Sequence, residues 1–251
     1  MQKFDLHVHT DYSDGKNAAE EIALRAIDKG LEIIGFSDHG TTGIKEVYGM
    51  SELNSQKYQA EIRALKEKYK DKITVLCGVE QDIFSLEPTD KYDYVIGSVH
   101  YVKVENEYIP VDESAQVLST AAEKYFNGDI YRLVKLYFDT VTQVVEKTSC
   151  QIIGHFDIIT KFNEKTPLFD ENDERYITLW KESLDKLLSY GCIFEINTGA
   201  MSRGYRTSPY PSKDMIDYIK SKGGKLILSS DSHKAEDICY AFDETENYIN
   251  Y

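Results

Sequence analysis

The chain has 251 residues, of which 41% are hydrophobic, and 43 acidic against 29 basic residues give it a formal net charge of -14. This charge disfavours attraction to nucleic acid or to an anionic membrane surface, and no apolar stretch approaches the roughly 20 residues that span a bilayer. The length suits one large domain, since α/β barrels of this size are often undivided. We therefore expect a single domain over residues 1–251, located in the cytoplasm with its cysteines reduced, and a small-molecule partner.

Short apolar runs alternate with amphipathic segments along the whole chain, a pattern typical of a parallel α/β fold. The predicted strands lie near 3 to 9, 32 to 37, 73 to 79, 93 to 99, 151 to 154, 193 to 197 and 225 to 229. The predicted helices between them lie near 17 to 30, 52 to 70, 173 to 190 and 212 to 222. The segment from 101 to 150 is longer than one connecting helix requires, and two helical segments are predicted around 114 to 147. We interpret this segment, between the fourth and fifth strands, as a helical insertion over the rim of the site.

Every histidine of the chain lies at the end of a predicted strand or just after one, and two acids share this placement. These residues are His7, His9, His39, His100, His155 and His233, with Glu80 and Asp231. Because the carboxyl ends of parallel strands lie together at one side of a sheet or barrel, the side chains are predicted to converge. An open sheet brings together only neighbouring strand ends at a switch point. Six contributing strands therefore favour a closed barrel.

Imidazole and carboxylate groups without a thiolate are suitable ligands for zinc, manganese or iron. His7 and His9 alternate along one strand, so both side chains point to the same face and form a chelating pair. A glutamate can bridge two cations, which makes a hydrolytic site with more than one metal ion plausible. A lone histidine on a strand would favour a structural interpretation, but the collective placement of the set favours metal binding.

Six short motifs, in this order along the chain, resemble those of the PHP (polymerase and histidinol phosphatase) domain family of metal-dependent phosphoesterases. They are HVHTDYSDG at 7 to 15, SDHG at 37 to 40, GVE at 78 to 80, GSVH at 97 to 100, GHFD at 154 to 157 and SDSH at 230 to 233. The resemblance implies a distorted (β/α)7 barrel that holds two to three divalent metal ions.

The same resemblance implies which residues bind each ion. The implied ligands of the first ion are His7, His9, Glu80 and Asp231. The implied ligands of the second, which Glu80 bridges to the first, are His100 and His155. Those of the third are His39, His233 and Asp14, where Asp14 replaces a histidine that some family members carry. Asp14 also has a structural interpretation, as a turn residue before Gly15.

The chemistry implied by such a site is hydrolysis of a phosphoester. Two cations bridged by a carboxylate can share a water and lower its pKa toward neutrality, so that a metal-bridging hydroxide attacks phosphorus. We predict Glu80 and Asp231 as the catalytic residues that hold this nucleophile in place. Arg203 and Arg206, in the loop after the sixth strand, and Lys161 are predicted to bind the phosphate. Each of these three cations could instead be solvated or paired with a surface acid.

Two longer stretches, from 111 to 163 and from 197 to 212, resemble the histidinol-phosphate phosphatase branch of the family. They imply hydrolysis of L-histidinol phosphate to L-histidinol and phosphate, a step of histidine biosynthesis. The acids near the rim that could receive the amino group of this substrate are Glu105, Glu107, Asp112 and Glu113. Two alternatives stay open at this point. One is a phosphoesterase for another small phosphate ester or short nucleotide, and the other is a noncatalytic metal-binding PHP module.

Overall fold

The computed structural model describes residues 2–44 and 48–249. Its strands are β1 (Phe4–Asp5), β2 (Ile33–Phe36), β3 (Thr74–Asp82), β4 (Tyr94–Ser98), β5 (Tyr101–Val104), β6 (Glu107–Pro110), β7 (Ile152–Ile153), β8 (Ile193–Asn197) and β9 (Lys225–Ser229). All except β5 and β6 form one seven-stranded sheet in the order β1-β2-β3-β4-β7-β8-β9, and every pair in it is parallel. Strands β1 and β7 have two residues each, so the sheet is irregular.

Contacts between its first and last strands close this sheet into a barrel. Val8 forms a parallel bridge with Ser232, whose carbonyl accepts from the His9 N–H at 2.8 Å. Two residues before β1, the side-chain amide of Gln2 donates to the Leu228 carbonyl at 2.8 Å and accepts from the Leu228 N–H at 3.0 Å. The prediction of a distorted barrel with seven parallel strands is therefore confirmed.

The helices cover the outside of the barrel. They are α1 (Ala19–Asp28), α2 (Glu52–Lys68), α3 (Ala115–Phe126), α4 (Ile130–Val141), α5 (Val144–Thr148), α6 (Glu174–Leu188), α7 (Gly199–Ser202), α8 (Lys213–Ser221) and α9 (Phe242–Thr245). Side chains of Ser51, Ser114, Asp129 and Asp173 accept from the first-turn N–H groups of α2, α3, α4 and α6, which explains where these helices begin. Within residues 2–44 and 48–249, no helix combines the length and apolar character needed to cross a bilayer.

The insertion between β4 and β7 contains the predicted helices, but it begins with an antiparallel hairpin that the sequence analysis did not predict. Strands β5 and β6 pair Val102 with Ile109, and Glu105 adopts a left-handed φ of 53° at the turn. In β5 the exposed Lys103 lies between Val102 and Val104, which is the only trace of the two-residue period of a strand. Four residues are too few for that period to stand out beside the longer helical pattern that follows.

The amino-terminal end of the barrel is filled by the ring of Tyr94, on β4. The Tyr94 hydroxyl donates to the carbonyls of Leu6, at 2.5 Å, and Phe36, at 3.1 Å. A Cβ at Gly78 would lie 2.2 Å from this ring, and one at Gly35 would lie 2.4 Å from its hydroxyl, so the neighbouring strands need glycine there. With this end packed, the barrel offers polar chemistry at its carboxyl end.

Candidate metal centre

The nine residues predicted to bind metal ions come together at the carboxyl end of the barrel. They surround a cavity of about 210 Å³. The predicted ligands that line this cavity are Asp14, His39, Glu80, His100, His155, Asp231 and His233. His7 and His9 lie next to it and are fully buried. A larger groove, of about 1110 Å³ between α6 and α8, has no histidine among its described lining residues.

The carboxylate of Glu80, in β3, lies at the centre of the cluster. The ring nitrogens that face its Oε2 are those of His39 at 2.9 Å, His7 at 3.3 Å and His9 at 3.6 Å. Those that face its Oε1 are those of His155 at 2.9 Å and His100 at 3.5 Å. Burial by itself would raise the pKa of Glu80, but attraction to His39, His7 and His100 outweighs burial and holds that pKa well below its usual range. Glu80 is therefore an ionised carboxylate with two oxygens directed at different imidazoles, as a bridging ligand requires.

Asp231, two residues after β9, faces two of the imidazoles that Glu80 also faces, those of His7 and His9. Its Oδ1 lies 3.4 Å from His9 Nε2 and 3.9 Å from His7 Nε2. Asp231 has a left-handed φ of 47°, a conformation that aspartate tolerates better than most residues. This backbone turn directs the carboxylate into the cavity.

Asp14 lies close to His39 and His233, the two histidines predicted to bind the third ion with it. Its Oδ2 lies 3.2 Å from His233 Nε2, and its Oδ1 lies 3.8 Å from both His39 Nε2 and His9 Nδ1. Burial would raise the pKa of Asp14, but attraction to His39 and His233 lowers it further than burial raises it. The loop is tight here, since a Cβ at Gly15 would lie 2.5 Å from the His9 carbonyl oxygen. Both interpretations of Asp14 therefore have support, because the turn itself places the carboxylate among three imidazoles.

The loop that carries Asp14 is held by Asp38, whose role the sequence analysis did not identify. Its Oδ1 accepts from the backbone N–H groups of Thr10, at 3.0 Å, and Ser13, at 3.1 Å, and both side-chain hydroxyls donate to the same carboxylate. Burial raises the pKa of Asp38 to about 6, although these hydrogen bonds oppose the rise. Its position beside His39 in the SDHG motif was the available signal.

A second residue that the sequence analysis missed is Glu195, in β8. This buried carboxylate faces Nδ1 of His7 at 2.7 Å, on the side of the ring away from Glu80. No predicted metal ligand lies on the sixth strand of the barrel, β8, but this strand contributes Glu195 behind the predicted ligand His7. An acid within the apolar run IFEI is the only local signal of this role.

The donor set fits divalent metal ions. Three groups of potential ligand atoms each lie within 4.8 Å of one another, and they are His7, His9 and Glu80; His39, Glu80 and His100; and His9, Asp14, His39 and His233. Several of these atoms are buried without a hydrogen-bond partner among the described residues, including both ring nitrogens of His9, Nε2 of His7 and Oε2 of Glu80. Buried polar atoms normally have a partner, and nitrogen and carboxylate donors at this spacing suit a coordinated cation.

The three cations predicted to bind phosphate lie in different surroundings. Arg203 and Lys161 line the cavity, together with Asp112. Nζ of Lys161 donates to the Asp112 carbonyl at 2.8 Å and lies 3.2 Å from its Oδ2. Arg206 is buried and donates to Thr160, and it is absent from the described lining of the cavity. A substrate contact by Arg206 stays a prediction.

Comparison with known proteins points in the same direction as the geometry. The sequence profile of the PHP domain matches residues 5–199. A probable histidinol-phosphatase of Schizosaccharomyces pombe is 28% identical over 250 residues, which cover 92% of this chain and 80% of the relative. A histidinol-phosphatase of Lactococcus lactis is 31% identical over 252 residues, which cover 94% of this chain and 86% of the relative.

A solved structure has the same fold. The histidinol phosphate phosphatase of Lactococcus lactis, crystallised with zinc, L-histidinol and phosphate, aligns with a TM-score of 0.73 at 24% sequence identity. The alignment covers 99% of this chain and 92% of that chain, so the likeness extends over the whole barrel and its insertion.

Proposed function

The chain belongs to the PHP domain family, and from this premise we propose that it hydrolyses L-histidinol phosphate to L-histidinol and phosphate. It is a phosphoric monoester hydrolase that depends on divalent metal ions. The observation that carries this proposal is the convergence of six imidazoles and three carboxylates on one small cavity that also has cationic side chains in its wall. The two relatives described above, named probable histidinol-phosphatase and histidinol-phosphatase, align with this chain over 80% and 86% of their own length.

We propose that two to three ions bind, and that they are zinc, manganese or iron. The residues that would hold the first are His7, His9, Glu80 and Asp231, and those for the second are Glu80, His100 and His155. Those for the third are Asp14, His39 and His233. Such ions, when bound, act as Lewis acids toward phosphoryl oxygen and lower the pKa of water. The catalytic roles of Glu80 and Asp231 are to keep the ligand groups together and to orient the attacking water.

We propose that the cavity wall recognises the substrate with both cationic and anionic side chains. Arg203 and Lys161 offer guanidinium and ammonium donors to the phosphate, and Asp112 offers a carboxylate to the cationic end of the substrate. Nζ of Lys161 lies 3.2 Å from Asp112 Oδ2, so a cationic and an anionic side chain are neighbours in the cavity wall. A cavity of about 210 Å³ suits a small phosphomonoester better than a polymer. A cytoplasmic location, a single domain and the lack of nucleic-acid or membrane partners stay predictions from composition.

The test is phosphate release by the purified protein, loaded with zinc or manganese, from L-histidinol phosphate and from a panel of unrelated phosphomonoesters. We expect kcat/KM for L-histidinol phosphate to exceed the others by at least about 100-fold, because its ammonium group would pair with Asp112 in the cavity wall. Equal rates across the panel would favour a broad phosphatase. No release from any ester, by protein with measured metal content, would favour the noncatalytic module.

A further inference from the structure

We propose that Glu195 is a positioning residue that orients ligands of two metal ions at once, through two side-chain oxygens that both accept hydrogen bonds. The inference rests on the proposed function, because it takes His7 and His155 as metal ligands. Glu195 lies behind the cavity and is not among the residues described as lining it. Its side chain is buried, and every partner of its two oxygens belongs to the barrel.

The first contact concerns His7. Oε1 of Glu195 lies 2.7 Å from His7 Nδ1, and since a carboxylate can only accept, Nδ1 must carry the proton. The other ring nitrogen, Nε2, lies 3.3 Å from Glu80 Oε2, inside the ligand cluster. Glu195 therefore selects the tautomer in which Nε2 has its lone pair available for a cation, and it also sets the angle of the ring.

The second contact concerns His155, on the loop after β7. Oε2 of Glu195 accepts from the His155 backbone N–H at 3.2 Å. The His155 ring reaches Oε1 of Glu80 at 2.9 Å, which is the opposite side of the bridging carboxylate from His7. Glu195 thus holds His7, a proposed ligand of the first ion, and His155, a proposed ligand of the second. These two histidines follow strands that are distant in the sequence.

The side-chain amide of Asn197 is a third donor to Glu195. Nδ2 of Asn197 donates to Glu195 Oε2 at 3.1 Å, and Oδ1 of Asn197 accepts from the Gly199 N–H at 2.9 Å. The Gly199 contact fixes which end of the Asn197 amide faces Glu195. Oε1 of Glu195 therefore faces one donor and Oε2 faces two, and all three donors require an acceptor.

This arrangement predicts that glutamine, although the same size, cannot replace Glu195. If the amide oxygen faces His7, the amide NH2 group meets the donors of His155 and Asn197, and the His155 loop must move. If the amide is reversed, its NH2 group faces His7 Nδ1, which must then accept, and the ring proton shifts to Nε2. Either orientation therefore disturbs one ligand of the cluster.

The experiment is zinc retention by the full-length, zinc-loaded protein during titration with a chromophoric chelator. Removal of such a supporting group typically weakens metal binding by about 10- to 100-fold, and we expect Glu195→Gln to lose zinc at correspondingly lower chelator concentration. The matched control is Asp93→Asn, because Asp93 also accepts a backbone N–H, from Cys77, but lies at the opposite end of the barrel. Thermal unfolding of each variant in excess chelator shows whether the fold is intact.

A structural role alone would lower the unfolding temperature of Glu195→Gln and leave its zinc affinity at the wild-type value, and that result would overturn the inference. If Glu195→Gln does not fold, Glu195→Asp takes its place, because its carboxylate remains but ends one methylene short of His7. Zinc affinity of Glu195→Asp equal to wild type would also overturn the inference. Wild-type protein that retains no zinc would instead overturn the proposed function.

Discussion

Arg203 contacts Asp231 at two points, through the side chain and through the backbone. Nη2 of Arg203 lies 3.0 Å from Asp231 Oδ2, and Nη1 donates to the Asp231 carbonyl oxygen at 2.9 Å. Nη1 also lies 3.0 Å from Nδ1 of His233. Because Arg203 lines the cavity as well, a single guanidinium connects the predicted phosphate position with a predicted metal ligand and with the left-handed backbone that presents it.

The first prediction is that Arg203→Lys loses phosphate affinity although it keeps the positive charge. The three donors of an ammonium group all come from one nitrogen, whereas a planar guanidinium spreads five donors over three nitrogens, two of which contact Asp231. We expect the inhibition constant for inorganic phosphate to rise by about 10-fold or more, which corresponds to about 1.4 kcal/mol. Competitive inhibition in the phosphatase assay measures it.

The comparison for this prediction is Arg206→Lys. Arg206 lies three residues further along the same loop, but its guanidinium donates to Thr160 and Ser208. We expect a loss of stability of about 1–3 kcal/mol from these buried hydrogen bonds, and an unchanged phosphate inhibition constant. A larger effect on phosphate from Arg206→Lys than from Arg203→Lys would reverse the two roles.

The contrast between these arginines shows where sequence reasoning reached its limit. The convergence of the predicted metal ligands could be predicted because each belongs to a motif at a strand end, and parallel strands bring such ends together whatever the details of packing. The loop from 199 to 206 has no such rule, because the short helix α7 decides which arginine turns toward the cavity. Because α7 has only four residues, it depends on tertiary contacts and has no sequence period that would predict it.

Glu195 and the β5–β6 hairpin could not be predicted for related reasons. The partner of Glu195, His7, lies 188 residues away in sequence, and no local period indicates a hydrogen bond between two strands that are not neighbours in the sheet. The hairpin is short, and the helical pattern after it dominated the interpretation of the segment. Overall architecture follows from repeated local patterns, whereas single supporting contacts depend on the folded geometry.

A second prediction is that Glu80→Ala lowers kcat/KM by at least about 1,000-fold, equivalent to about 4 kcal/mol of transition-state stabilisation. The two oxygens of Glu80 face the Nε2 atoms of His7 and His155, so its removal separates two proposed ion positions. Metal content should fall in the same preparation. Arg206→Ala should cost less activity, since Arg206 contacts Thr160 rather than any imidazole. Comparable losses in the two variants would contradict the central role of Glu80.

A third prediction concerns the packed end of the barrel. We expect Gly78→Ala to destabilise the protein by about 2–4 kcal/mol, because the new methyl group would displace the Tyr94 ring and its hydrogen bonds. The control is Gly30→Ala, where no atom lies within 4 Å of the added Cβ and the cost comes from a φ of +76°. That cost should be about 1–2 kcal/mol. Urea unfolding that gives equal losses for both variants would refute the packing role of Tyr94.

The fourth prediction is that zinc binding releases protons and strengthens as pH rises. Burial would lower the pKa of His100, but attraction to Glu80 and hydrogen bonding to Asp82 raise it to about 10 in the metal-free protein. At neutral pH the imidazole is therefore protonated, and it must lose this proton to bind a cation. Each proton released makes affinity increase by about tenfold per pH unit below that pKa.

Stability of the metal-free protein should change in the opposite direction. The folded-state pKa of His100 lies above its ordinary value of 6.5, so its stabilising contribution is complete below pH 6.5 and is lost as pH rises to about 10.

Calorimetry of zinc binding in buffers with different ionisation enthalpies measures the protons released, and we expect at least about one per chain. His100→Gln should release fewer. Zinc affinity that is constant between pH 6 and pH 8 would mean that His100 is already neutral in the metal-free protein. That result would contradict the raised pKa of His100.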